Sequence, residues 1–548
     1  MKGSRIATVV APLGCVGLLS CATPAEAPFE PLPPREQLIR LSVDLRGVHP
    51  SEEELSAIDG TPSLYEGFVD RYLQDARFLD RMEELYNLRF LTRTGETWFD
   101  PVEAGILGAP DAVVAASLAD EPLKLVRHII ENDLPYSEVV TAAYTMADPI
   151  VAAMWDLDYP AGGTAWQAAT YRDGRPMAGI LSMNTIWQRY PSMGGNANRH
   201  RANAVSRMVL CDDYLTRPIV LDRAAIDQLT VDPEEAILGE TCQSCHSSLD
   251  PLAAHFFGFY RYEGGGDDLR AATLYRPENE EGWRDYANKS PGYFGRPTAN
   301  LPELGAAIVA DPRFTDCAVR TVWEGLTQRE LVDEDWAEFQ DARDVFEDGG
   351  LIIRPLVKEI VLSDAYRAAR VKDPAAAQRI ATVKTASPAQ LASIVADLTG
   401  VRWTFGDIEG LTDPTSGLPV LAGGVDGVYV TRPGFNPSVG GVFVLERLAQ
   451  TAAWTVAAHD LDPARTEAPI LLGYVTALDT PDSAPEVFHA QVRALYLRVT
   501  GVPLPDDAAE PAQLATLWRQ IYSVEASPTA AWAGIVSAVL RDPRVLFY

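Results

Sequence analysis

Apolar residues recur every three to four positions along most of this chain, the pattern of helices with one buried face. Leu38 to Val48 reads as such a helix, stopped by Gly47. Ser51 and Glu54 then form a capping-box pattern that opens another. The helix–Gly–Val ending returns at Leu391 to Val401 and at Val492 to Val502. A second phrase, a helix ending in Asp and an aromatic plug, recurs at Leu73–Phe78, Val309–Phe314, Leu362–Tyr366 and Leu540–Phe547. These read as degenerate copies of one helical unit, too irregularly spaced for a solenoid. From Tyr159 to Gly195 and from Gly264 to Pro302 the periodicity fades, and Gly, Pro and aromatic residues dominate. Such stretches read as ordered loops around a site. The expected fold class is mainly α and multi-helical, with an irregular middle.

Between the two irregular stretches lies Cys242-Gln243-Ser244-Cys245-His246, followed by Leu249-Asp250-Pro251-Leu252. Cys-x-x-Cys-His is the attachment signature of haem c: two thiols add to the vinyl groups and the His lies under the iron. With 6 Cys and 7 His in 548 residues, chance predicts on the order of 0.001 such matches. Two other readings use the same cysteines. One is a zinc site with Cys211 and Cys317 as distant partners, the other a thioredoxin-like dithiol.

The N-terminus points to the same compartment as covalent haem. Met1 to Arg5 is basic, Ile6 to Leu19 is apolar but too short to span a membrane, and Leu18-Leu19-Ser20-Cys21 resembles the lipobox of bacterial lipoproteins. That resemblance implies cleavage before Cys21 and lipidation of its thiol; an ordinary signal peptide cut near Ala25 or Ala27 is the alternative. Ala22, by analogy with enteric lipoproteins, favours the outer membrane. Thr23 to Pro34 holds five prolines and reads as a tether. The expected organisation is a signal peptide over 1–20, a tether over 21–36 and an N-terminal helical domain over 37–158. A haem-binding region over 159–303, a closing helical segment over 304–371 and a C-terminal helical domain over 372–548 follow.

The net charge of −30 argues against nucleic acid and against direct docking on anionic lipid, and it suits either solubility or a basic redox partner. With Cys15 in the expected signal peptide, Cys21 lipidated and Cys242 and Cys245 in the haem motif, Cys211 and Cys317 remain as a disulfide or as two buried thiols. Hydrolase, P-loop and Rossmann signatures are missing from the sequence. His49, His128, His459 and His489 are isolated and read as structural.

Several stretches together are similar to a known family, the large exported single-haem proteins related to planctomycete-type cytochrome c proteins. They are Gly179-Ile180-Leu181-Ser182, Asn198-Arg199-His200-Arg201-Ala202, the haem motif with Phe259 and Tyr260 behind it, Pro291-Gly292-Tyr293, and Phe314-Thr315-Asp316-Cys317. The Arg40 to Pro50 opening belongs with them, so the resemblance covers most of Leu38 to Arg370. It implies haem binding and electron transfer, and it supplies no substrate.

The sixth iron ligand separates an electron carrier from a reaction centre. Candidates upstream are Met177, Met183, Met193 and His200, with Met183 and Met193 favoured because they sit in irregular chain; His255 is close to His246 along the chain. Asp250, or the Leu249 carbonyl, is placed to orient His246. The leading expectation is a lipid-anchored mono-haem cytochrome carrying electrons within a larger periplasmic or surface assembly. The alternatives are a haem oxidoreductase using peroxide or oxygen, and a non-catalytic surface binding lipoprotein with structural haem or metal.

Overall fold

The computed structural model describes residues 28–96, 101–192, 194–218, 240–259, 275–286, 289–406, 408–436 and 438–548. The expected signal peptide over 1–20, Cys21 and Met193 lie outside these residues.

Helix accounts for 59% and strand for 6% of the structure, so the fold is mainly α. The recurring helix–Gly ending has one cause. Gly47, Gly400 and Gly501 close the helices Pro34–Arg46, Pro388–Thr399 and Pro485–Thr500 in left-handed conformation, at φ 70°, 71° and 71°. Each glycine N–H donates to a carbonyl four residues back, which satisfies an end that a side chain with a Cβ closes less readily. The Ser51/Glu54 capping box is present, and Ser387/Gln390 makes a second.

The second phrase works in the opposite sense from the one the pattern suggests. Asp75, Asp311 and Asp542 do not end helices; each caps the N-terminus of the next one, Ala76–Phe90, Pro312–Thr327 and Pro543–Leu546. Each carboxylate accepts the backbone N–H two residues on, and the arginine there (Arg77, Arg313, Arg544) folds its side chain back onto the same carboxylate. Phe78 and Phe314 are buried on the first turn of the new helix. Asp364 differs, leading into a turn and then a strand.

One continuous apolar core runs from Phe29 to Leu546 and draws on every region from the N-terminal helices to the C-terminal ones. A smaller cluster gathers around Trp155, Leu157 and Tyr171. The sheets are minor: Phe29–Pro31 pairs antiparallel with Ala368–Val371, and Thr145–Ala147, Gln167–Tyr171 and Leu157–Asp158 form a three-stranded ribbon. The tether expected over 21–36 is therefore part of the fold from Phe29 onward. Phe29 is buried, and Pro34 opens the first helix, where its missing N–H costs nothing.

Two covalent or charged ties hold distant stretches together. Cys211, at the end of the Arg199–Leu210 helix, is joined by a disulfide to Cys317 on the Pro312–Thr327 helix. The Arg89 guanidinium donates to both sulfurs, at 2.8 Å from Cys317 Sγ. The second tie is Asp44, 4% exposed, which accepts from Tyr366 Oη at 2.7 Å, Tyr548 Oη at 2.7 Å and Lys384 Nζ at 2.5 Å. Burial pushes Lys384 down to about 7, and the Asp44 carboxylate pulls in the other direction.

His49 is also enclosed. Burial, then the nearby Arg498 charge, push it from 6.5 down to about 4. Below 6.5 the unfolded chain takes up a proton that the folded chain refuses. Stability is therefore expected to fall as pH drops from about 6.5 to about 4, by up to about 3 kcal/mol from this group. Chemical denaturation at pH 7 and pH 4.5 checks it: the His49→Gln variant should lose less over that interval than the parent.

Candidate functional site

The motif opens a helix, Glu240–Ala254, so Cys242, Cys245 and His246 stand at positions i, i+3 and i+4. That spacing places them on one side, while Ser244 faces solvent. Both thiols are free and half-buried. Arg217 reaches the Cys245 sulfur while pairing with Asp212.

One turn on, Asp250 Oδ1 lies 3.0 Å from His246 Nδ1. Arg199, the first residue of the neighbouring helix, donates from Nε to the same oxygen at 2.7 Å and from Nη2 to Oδ2 at 3.4 Å. Asp250 is 3% exposed. Burial pulls its carboxyl upward, but the hydrogen bonds from His246 and Arg199 outweigh that and hold it below the ordinary carboxylate range. An ionised carboxylate only accepts, so Nδ1 carries the ring proton and donates it. Nε2 is left without a hydrogen-bond partner among the described residues. The ring is thus oriented through Nδ1, the way a metal-ligating histidine is commonly held.

The surroundings keep this helix in register. Leu252, Ala253 and Phe256 enter the main core, and the Phe256 ring lies 4.6 Å from Trp187. Arg201, 2% exposed, donates to the Phe259 carbonyl at 3.0 Å. Tyr214 Oη and Ser248 Oγ are 2.8 Å apart. The stretch from Pro291 to Pro297, expected as a loop, is a hairpin packed on Pro251, with strands Gly292–Tyr293 and Arg296–Pro297. Its two-residue turn puts Phe294 at φ 44° and Gly295 at φ 83°. The Arg313 guanidinium lies 4.1 Å from the Phe294 ring, fixing an aromatic side chain in a conformation that costs it energy.

The remaining candidates are distributed more widely. Met183 is wholly buried in the main core, one turn before Trp187. Met177 packs half-buried against the smaller cluster. His200 is exposed, with Nδ1 3.1 Å from the Pro191 carbonyl. His255 is committed at both nitrogens, Nδ1 to the Leu252 carbonyl and Nε2 to Thr298 Oγ1 at 2.8 Å, and burial pushes it down to about 4. Neither of its nitrogens is free to ligate a metal. The zinc reading loses its distant ligands, because Cys211 and Cys317 are bonded to each other. Among the described residues no group of three or more His, Cys, Asp or Glu is placed to hold a metal ion. Cys242, Cys245 and His246 supply two thiols and one imidazole, the protein groups that covalent haem would take from such a motif, with four further iron ligands coming from the porphyrin and a sixth position left open.

Sequence reasoning found Asp250 but missed Arg199, although the basic run Arg199-His200-Arg201 was the available signal. A cavity of about 590 Å³ lies elsewhere, between the Ala76–Phe90, Pro312–Thr327 and Pro388–Thr399 helices, and no motif residue lines it. Its wall charges are largely answered within the protein: Arg81 by Glu84, Arg93 by Asp120, Arg329 by Asp335 and Asp44 by Lys384. No protein-family model, curated protein or solved structure matches this chain.

Proposed function

We propose that this chain is an exported mono-haem c-type cytochrome, anchored through lipid on Cys21, that passes electrons to a partner protein. The observation that carries the reading is the set Cys242, Cys245 and His246 on one side of one helix, with His246 Nδ1 held by buried Asp250. The lipobox-like leader and the family resemblance point to the same compartment and cofactor. Bound haem supplies one-electron exchange at iron. Cys242 and Cys245 would hold it covalently, His246 Nε2 would ligate its iron, and Asp250 would orient the His246 ring. Hydrophobic packing of Leu252 and Phe256 keeps the attachment helix from shifting. On this reading Met183 or Met193 would supply the remaining iron ligand, and a partner with a basic face suits the charge of −30.

Expression alongside the c-type maturation machinery tests it. The intact mass should rise by one haem, and the pyridine haemochrome spectrum should be that of haem c. Cys242→Ala with Cys245→Ala should abolish covalent attachment. Protein that carries zinc and no haem overturns the proposal. Stoichiometric carbon monoxide binding by the ferrous protein would instead favour peroxide or oxygen chemistry at an open site over electron carriage.

A further inference from the structure

Resting on the haem reading, we infer that Asp250 and Arg199 form a two-handled control on the electron-donating strength of His246, and so on the reduction potential of the iron. His246 gives its Nδ1 proton to a carboxylate rather than a carbonyl, at 3.0 Å. A carboxylate in that place makes the imidazole a stronger donor and favours ferric iron. Asp250 is 3% exposed, so water screens its charge little. Its place one turn after His246 on the same helix builds the contact into regular structure, independent of the surrounding loops.

Arg199 acts on the same atom with the opposite sign. Its Nε lies 2.7 Å from Asp250 Oδ1, the oxygen that accepts from His246. Electron density drawn toward the guanidinium is withheld from the imidazole. Arg199 is a positioning residue, acting through Asp250. The competing account is a plain ion pair that staples the Arg199–Leu210 helix to the motif helix. A staple and a control differ in one measurable respect: a staple affects stability in both single variants alike, and a control moves the potential in opposite directions.

Spectroelectrochemical titration of haem-loaded protein separates them. Intact mass and haemochrome spectra first establish that each variant carries its haem. Asp250→Asn keeps the shape and removes the charge, and should raise the potential by about 59 mV, a tenfold shift in a one-electron equilibrium. Arg199→Met should lower it, and Arg199→Lys should return it toward the parent value. Unchanged potentials, or shifts of the same sign in Asp250→Asn and Arg199→Met, overturn the inference even with haem in place. Should Asp250→Asn fail to fold, the opposed pair Arg199→Met and Arg199→Lys still decides. Absence of covalent haem from the parent protein overturns the haem reading and this inference together.

Discussion

Replacing Asp44 with Ala is expected to destabilise the fold by roughly 3–5 kcal/mol, the cost of leaving one partner of a buried ion pair unmatched. Lys384 is 3% exposed, and once Asp44 is gone its Nζ keeps the Leu326 carbonyl at 2.5 Å and the face of the Tyr366 ring but no counter-charge. Tyr366 and Tyr548 lose their acceptor at the same time. Urea denaturation of the parent and variant measures the loss. Tyr548→Phe, which removes one donor, should cost only about 1 kcal/mol. The double variant Asp44→Leu with Lys384→Met should recover much of the loss, since an apolar pair of similar size avoids the stranded charge. A double variant as unstable as Asp44→Ala would mean that shape, not charge, holds this junction.

Removing the disulfide is the second large effect. Cys211 and Cys317 are 106 residues apart in sequence, and the chain-entropy model assigns about 4.7 kcal/mol to closing a loop of that order. The Cys211→Ala, Cys317→Ala protein should therefore unfold at markedly lower denaturant, and dithiothreitol should lower the parent's midpoint toward the same value. If the chain carries haem as proposed, loading through Cys242 and Cys245 should survive, because neither removed sulfur belongs to that motif. Loss of loading in an otherwise folded variant would show that the cross-link shapes the site itself.

What the chain declared in advance was mostly local. Gly47, Gly400 and Gly501 stop helices for a reason that operates within four residues, and the Ser51 capping box needs only three. Asp250 was legible as the partner of His246 because one helical turn separates them. The Asp-aromatic phrase was visible as a repeat, but its direction was not. An Asp between two helices ends one pattern and begins another, and only the backbone N–H it accepts decides which. Long-range ties carried no local mark. Nothing in the residues around Cys211 says that Cys317 is 5.2 Å away at Cα, and the contacts of Asp44 with Lys384 and Tyr548 cross more than half the chain. Arg199 meets Asp250 by the packing of two helices, which periodicity alone does not specify. The tether was misjudged at its far end because proline fixes an extended backbone equally well in a spacer and in an edge strand.

The order of the cysteines has a consequence for how the protein is made. The bond from Cys211 to Cys317 encloses Cys242 and Cys245, so it is not a pairing of neighbours along the chain. If the chain is exported as proposed, a polypeptide emerging N-terminus first into an oxidising compartment offers Cys211 two wrong partners before Cys317 arrives. Thiolate–disulfide exchange can correct such an error, but each mispaired molecule also withholds a thiol from the attachment motif. On the haem reading, biosynthesis then becomes a contest of timing between occupation of the motif thiols and the reopening of premature bonds by exchange. Yield should respond to that timing even in chains whose finished form is equally stable.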